Sequence, residues 1–300
     1  RGCDNMCTFC VVPFTRGRER SRNPESIVDE CQQLLNDGYK EITLLGQNVD
    51  SYLWHGGGLK KEFKNLSKTE QEESVSFAQL MEMVANVSPE LRIRFSTSNP
   101  QDMTDNVLHI MAKYKNICNY IHLPVQSGSN RILEKMNRGY SREEYLQRIE
   151  KIHEILPDCA ISMDMISGFC TETEKDHKDT LDLMDKVIFD FGYMFKYSER
   201  PNTPAQRKWE DDVKEEIKQK RLAQIIEKQM THSLIRNKEA VGKTYEVLVE
   251  GTSKKSTKKL QGRTRQNKVV VFDKENHKKG TYVKVQIQEC TAATLIGKVI

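Results

Sequence analysis

Long apolar runs are what this 300-residue sequence most plainly lacks. None approaches the roughly 20 residues that span a bilayer, mean hydropathy is −0.67, and no charged-then-apolar leader precedes Arg1. The expectation is a soluble chain with no membrane partner. Also missing is the cysteine rhythm of a disulfide-stapled secreted domain. After Cys3, Cys7 and Cys10, the rest (Cys31, Cys118, Cys159, Cys170 and Cys290) are scattered singly, so a reducing compartment is expected and each scattered thiol reads as a small core residue. Nor is there a large net charge: the total is +4, unevenly shared, with 15 Lys and Arg against 6 Asp and Glu in residues 236–300 and 32 against 37 in residues 1–235. A basic tail suits either a polyanionic partner or a solvated surface.

What is present is an alternation of periods. Asn23 and Pro24 form a helix start, Ile27, Val28, Cys31, Leu34 and Leu35 follow at helical spacing, and Gly38 stops them. EITLLGQN then reads as a buried strand. RIRFST (92–97), IHLPV (121–125), CAISMDMI (159–166) and YMFKYS (193–198) repeat the strand signal. Helical stretches near 76–87, 104–114, 141–156 and 172–189 lie between them. Five strands alternating with helices imply a parallel sheet with crossover helices, and in a barrel of such units the functional groups gather at the strand C-terminal ends. Gln47, Asn48, Ser96, Ser98, Asn99, Gln126, Ser127, Asp164, Ser198 and Arg200 fall there. Each alone reads as a cap or turn residue; together they suggest a shared site.

Residues 55–74 are polar, Gly-led and aperiodic, and read as a mobile surface insertion. A long helical run from Val213 to about Asn237 precedes a change of pattern. TYEVLVEG, GRTRQNKVVVF and GTYVKVQIQEC are short strands between Gly- and Lys-rich turns, the composition of a small antiparallel barrel of oligonucleotide-binding type. The division expected is 1–235 for the α/β core with its linking helix and 236–300 for the small barrel.

Cys3, Cys7 and Cys10 are spaced so that one tight loop can wrap a cubane iron–sulfur cluster. Three thiolates hold three irons and leave the fourth open to an exchangeable ligand. A zinc ribbon would need a second CxxC at a distance, and a redox CxxC would leave Cys3 unexplained.

CxxxCxxC with Phe9 before its last cysteine, followed by βα units, resembles the radical S-adenosylmethionine superfamily. CTFCVVPFTRGRERSR, LLGQNV, RIRFSTSNP, HLPVQSGS, ISMDMISGFCTETE and YSERPNTPA resemble, in order, the motifs of its methylthiotransferase branch. PFTRGRE and RPNTPA look most like members acting on isopentenyladenosine next to the anticodon of tRNA. The final segment looks like a TRAM module. The resemblance covers essentially the whole chain. It implies a partial (βα)6 radical-SAM barrel with its first strand missing, then the small antiparallel barrel. It also implies one [4Fe-4S] cluster on Cys3, Cys7 and Cys10, and S-adenosylmethionine contacted by Phe9, Gln47, Ser96, Gln126, Asp164 and Arg200. Arg16, Arg18, Arg20, Lys254, Lys255, Lys258, Lys259, Arg263 and Arg265 would contact RNA; the alternative for the first three is pairing with acidic neighbours, and for Phe9 a role in bracing the loop. His122 reads as a satisfied core residue.

The family also implies an N-terminal domain with a second [4Fe-4S] cluster as sulfur source, absent from this chain, and an electron donor. GFC, where bacterial members carry GFP, resembles the animal mitochondrial homologue known as a cyclin-dependent-kinase activator-binding protein, which implies a mitochondrial location (a cytoplasmic one being the alternative) and a kinase activator as partner. Thr171 stands where the family has glycine. Other readings remain: a threonylcarbamoyladenosine or ribosomal-protein substrate, or a non-catalytic binding protein.

Overall fold

A computed structural model describes residues 1–300. In chain order the elements are α1 (Val12–Arg16), α2 (Pro24–Asn36), β1 (Glu41–Leu45), β2 (Leu53–Trp54), α3 (Lys68–Glu72), β3 (Val75–Ser76), α4 (Phe77–Ala85), β4 (Arg92–Ser96), α5 (Asp105–Lys113), β5 (Tyr120–His122), α6 (Asn130–Lys135), α7 (Arg142–Ile155), β6 (Ala160–Ser167), α8 (Glu174–Val187), β7 (Phe191–Lys196), α9 (Pro204–Lys208) and α10 (Glu215–Lys238), then β8 (Thr244–Ser253), β9 (Ser256–Arg263), β10 (Val269–Asp273), β11 (Tyr282–Cys290) and β12 (Leu295–Val299). No helix is long and apolar enough to cross a membrane.

The five expected strands form a parallel arc. β1 pairs with β4, and β5, β6 and β7 pair in turn. The two sets join through the Ile93–Ile117 bridge, where Ile93 N donates to Asn116 O (2.9 Å) and Cys118 N to Ile93 O (2.8 Å). Alternation gives the arc two faces. Ile42, Ile93, Phe95, Ile121, Ile161, Met163 and Met165 point outward into one large core with Phe77, Met81, Leu108, Met111, Ile149, Ile152, Leu183 and Met184 of the helices. Arg92, Arg94, His122, Ser162, Asp164 and Tyr193 take the other face.

Where the structure departs from the sequence reading, local chemistry explains it. IHLPV supplies only a short strand, because Pro124 has no N–H to give the ladder; pairing resumes at Gln126, whose N–H donates to Asp164 O (2.9 Å). α1, α6 and α9, of five or six residues, were too short to show a helical period. Residues 55–74 are not featureless: β2 and β3 pair antiparallel across their ends, a Ser67–Glu70 capping box starts α3, and Lys60 N donates to Glu19 O (3.2 Å).

The C-terminal unit is a closed barrel of five strands in the order β10-β12-β11-β8-β9. Its own core is Val247, Val249, Leu260, Val270, Phe272, Val283, Val285, Ile287 and Leu295. The expected all-antiparallel barrel is corrected in one pair: β10 and β12 run parallel. GRTRQNKVVVF is likewise not one strand. It breaks at Thr264–Lys268, where Asn267 is left-handed at φ 63°, into β9 and β10 paired antiparallel.

Buried arginines join the two units. Arg94 donates to Thr264 O (2.6 Å) and Arg265 O (3.1 Å) and pairs with Glu41 (2.9 Å). Arg92 donates to Arg263 O (2.9 Å), pairs with Glu246 (3.2 Å) and lies 4.8 Å from the Tyr282 ring centre. Tyr282 Oη donates to Lys40 O (2.9 Å). The small barrel therefore docks at the N-terminal ends of the arc's strands. Arg94→Ala removes the hydrogen bonds to Thr264 O and Arg265 O and the closer of the two arginines on Glu41, and is expected to cost about 3 kcal/mol. Urea unfolding of the two proteins at equal pH measures it.

Candidate functional site

The loop bearing the three cysteines is gripped from two sides. On one side Cys3 N donates to Gly17 O (3.3 Å), Arg20 N to Arg1 O (2.9 Å) and Glu19 N to Asp4 Oδ1 (3.1 Å). Gly2, at φ 79°, lies so close to this return segment that an added Cβ would overlap Arg18 O. On the other side the end of α6 holds the loop: Thr8 N donates to Met136 O (3.0 Å), Thr8 Oγ1 to Lys135 O (2.8 Å), and Asn137 Nδ2 to Asn5 O and Met6 O. Phe9 packs against the small core of Ile132, Met136, Phe169, Cys170, Tyr197 and Ala205, so its side chain braces the loop.

Cys7 is buried, and Cys3 and Cys10 are half-buried. Burial pushes the Cys3 thiol up to about 11, with Cys7, Glu19 and Cys10 adding to the rise and a backbone hydrogen bond opposing it; burial also raises Cys10. Thiols ligate as thiolates, and burial of Cys3 and Cys10 opposes that form unless a cationic centre sits beside them. The three sulfurs do not converge tightly enough for one shared ion; a cubane places one thiolate on each of three irons and takes a wider triangle.

The strand-end residues divide. Gln47 Oε1 accepts from Gly2 N (2.7 Å), so it ties β1 to the cysteine loop. Gln126 is buried and left-handed at φ 77°, bonded through its backbone to Asp164 and Ile166. Asp164 Oδ1 lies 3.3 Å from His122 Nε2 but is buried without a hydrogen-bond partner, as are Ser98 Oγ and Asn48 Oδ1. Ser96 is half-buried at the end of β4, and Arg200 is exposed beyond β7. Unpartnered buried oxygens just past β1 and β4 and on the inner face of β6 are costly unless a ligand completes them, and this set suits the amino and hydroxyl groups of S-adenosylmethionine.

His122, read from the sequence as core, faces the inner side: its Nδ1 meets Ser162 Oγ at 2.8 Å and its ring meets Tyr193 edge-on. Arg138 was missed altogether. It donates to Cys7 Sγ (3.3 Å), but a charged residue in the turn between two helices carries no sequence signal for burial.

The basic residues are corrected in part. Arg265 was expected on phosphates, yet its guanidinium donates to Ile117 O (2.7 Å) and Asn119 Oδ1 (3.3 Å) at the joint between units. Arg263 is engaged with Glu250 (3.0 Å) and Asn267. Arg18 pairs with Asp4 (2.8 Å). Arg16, Arg20, Lys254, Lys255 and Lys258 are exposed, and Lys259 pairs with Asp273 (3.3 Å).

Beyond the site, Thr171 is left-handed at φ 67°, the conformation glycine would take freely, held by Arg131 and Asp212. The next residue, Glu172, accepts from Gly168 N (3.0 Å) and pairs with buried Arg221 (2.9 Å).

A sequence model of the radical SAM superfamily matches residues 1–184, and one of the TRAM domain matches residues 238–300. A protein of Christiangramia forsetii named tRNA-2-methylthio-N(6)-dimethylallyladenosine synthase is 61% identical over all 300 residues, which are 62% of its length. Proteins of the same name from Flavobacterium johnsoniae and Bacteroides fragilis are 62% and 52% identical, each again over 62% of its length. The chain thus spans about 62% of these curated relatives. Among solved structures, coproporphyrinogen III oxidase from Escherichia coli, a radical SAM enzyme, aligns over 88% of this chain and 64% of its own with a TM-score of 0.50 at 14% identity.

Burial, opposed by Gly168 N and Arg221, raises the Glu172 carboxyl to about 7 from 4.5. A raised acid contributes stability below its unfolded value and loses it as pH climbs through 7. From pH 5 to pH 7 the cluster-free protein is expected to lose about 2 kcal/mol relative to Glu172→Gln. Urea unfolding of both proteins at the two pH values checks it.

Proposed function

Because this chain belongs to the radical S-adenosylmethionine superfamily, we propose that it is the radical core and RNA-binding module of a tRNA methylthiotransferase that converts isopentenyladenosine beside the anticodon to its 2-methylthio derivative. The product is the one in the name of the relatives that share 61% and 62% of its residues. The observation that carries the chemistry is the clamped Cys3–Cys7–Cys10 loop beside the unpartnered Asp164, Ser98 and Asn48 acceptors.

Cys3, Cys7 and Cys10 would hold a [4Fe-4S] cluster by three irons. Asp164, Ser98 and Asn48 would complete their hydrogen bonds on the amino acid and ribose groups of S-adenosylmethionine, with Gln47, Ser96 and Gln126 at the strand ends and exposed Arg200 beyond β7 as further contacts. When bound, these groups supply hydrogen abstraction at carbon 2 of the adenine and the methyl group. A second cluster, held by residues other than these, would supply sulfur, and an external one-electron donor the reducing power. Phe9 and the end of α6 keep the loop rigid while the site excludes water.

The basic hairpin of β8 and β9 belongs to the unit docked at the N-terminal ends of the arc, while the cysteine loop lies at the opposite ends. Their separation is at least a strand length, about 16 Å for the five residues of β4. A partner touching both is extended, which suits an anticodon stem-loop whose splayed loop bases enter the site while its phosphates lie on Lys254, Lys255 and Lys258. Wholly buried Cys170 packs among Ile132, Phe169 and Tyr197. The GFC triplet thus has a packing role, and it gives no support to the animal mitochondrial branch, that location or a kinase-activator partner.

Anaerobic reconstitution should give about four iron and four sulfide per chain and reductive release of 5'-deoxyadenosine; no cleavage by an iron-loaded protein would refute the reading. Mass spectrometry of tRNA nucleosides should show the methylthio product only with the full-length protein. Charge reversal at Lys254, Lys255 and Lys258 should lower the slope of log affinity for the stem-loop against log salt by about 2. Uncoupled 5'-deoxyadenosine release should stay unchanged. Fluorescence anisotropy across a salt series reads the first effect, and an unaltered slope would remove these lysines from the interface.

A further inference from the structure

Five arginines of this protein are buried: Arg92, Arg94, Arg138, Arg142 and Arg221. Four have a carboxylate partner: Glu246 for Arg92, Glu41 for Arg94, Asp182 for Arg142 and Glu172 for Arg221. Arg138 has none within 4.0 Å. Its guanidinium is nevertheless fully directed: Nε donates to Tyr140 Oη (2.9 Å), Nη2 to Pro124 O (2.8 Å) and Nη1 to Cys7 Sγ (3.3 Å). Tyr140 Oη in turn donates to Val125 O (3.0 Å), so it is a neutral phenol and no counter-ion. The groups in reach that can carry negative charge are two thiols of the loop, Cys7 in direct contact and Cys10 beyond it.

A buried cation without an anion is a large cost, several kcal/mol even after relaxation. In the cluster-free chain that cost is met only by neutral partners, the hydrogen bonds to Tyr140, Pro124 and Cys7 and the Tyr140 ring 5.3 Å away. Once the loop carries its cluster, three thiolates against a cubane core of charge +2 leave a net charge of −1, and one added electron makes it −2. We propose that Arg138 is the charge-compensating and positioning residue for the cluster, its guanidinium balancing the buried anion through Cys7 and raising the cluster's reduction potential. This rests on the cluster reading above and adds to it a residue outside the cysteine motif. The electron enters from the external donor, and no bond to Arg138 forms or breaks. Hydrogen bonds and net charge around the sulfurs are the protein's means of setting such potentials. The same guanidinium grips Pro124 O, two residues before Gln126, so it fixes the cluster loop to the end of β5 as well as to its charge.

The test uses anaerobically reconstituted protein, with iron and sulfide measured first and the cluster then titrated against mediators while its reduced signal is followed by electron paramagnetic resonance. Arg138→Gln is expected to disfavour reduction about tenfold, a midpoint lower by about 59 mV for a one-electron couple. Arg138→Lys should restore most of the shift. Tyr140→Phe, which removes the Nε acceptor and keeps the charge, should leave the midpoint near wild type. Equal midpoints for wild type and Arg138→Gln at equal iron content would overturn the proposal. Should Arg138→Gln take up no iron, the cluster-free proteins decide. Arg138→Met should then melt at or above the wild-type temperature because an uncompensated charge has gone, and a lower melting temperature would mean that Arg138 is only a brace. Wild type that binds no iron would instead bring down the cluster reading itself, and this inference with it.

Discussion

An arc of five parallel strands has two faces to satisfy, and here they are satisfied by opposite means. The outer face is apolar and sinks into the helices, which is ordinary hydrophobic burial. The inner face carries Arg92 and Arg94, which give up water for backbone carbonyls of Arg263, Thr264 and Arg265 in the C-terminal barrel and for the carboxylates of Glu246 and Glu41. That exchange of water for carbonyls closes the arc from below. With one end occupied by another folded unit, the opposite end, where the strands run out into loops, is the end left open for chemistry.

The cysteine loop depends on the same logic of fixed partners. Its backbone is held by the segment that returns at Gly17–Arg20 and by the carbonyls at the end of α6, so its thiols are placed before any ligand arrives. Left-handed Met6, Thr97 and Gln126 lie in this loop and at two strand ends. Non-glycine residues in that region hold backbone strain, which persists where surrounding structure over-determines it and tends to gather where geometry matters to function.

Much of this architecture was legible in the sequence because its signals are local. Apolar runs announced β1, β4 and β6, Asn23 and Pro24 announced α2, and CxxxCxxC announced its loop without help from distant residues. The failures share a cause: charge says nothing about what it faces. Arg265 read as a phosphate ligand and donates instead to Ile117 O. Arg92 and Arg94 carried no sign of the joint they make, and Arg138 sat unnoticed in a turn between Asn137 and Gly139. Pro124 shortened β5 by a rule available beforehand, whereas the break of GRTRQNKVVVF at Asn267 needed the barrel's closure to show it.

The segment between β2 and β3 leaves and rejoins the fold at paired positions, Leu53 with Ser76 and Trp54 with Val75. A loop whose two ends already touch adds little chain-closure entropy when it grows, about 0.6 kcal/mol for each doubling of its length. Evolution can therefore lengthen, trim or replace this stretch without renegotiating the register of the strands beneath it, which makes it the natural place for otherwise similar chains to differ in size.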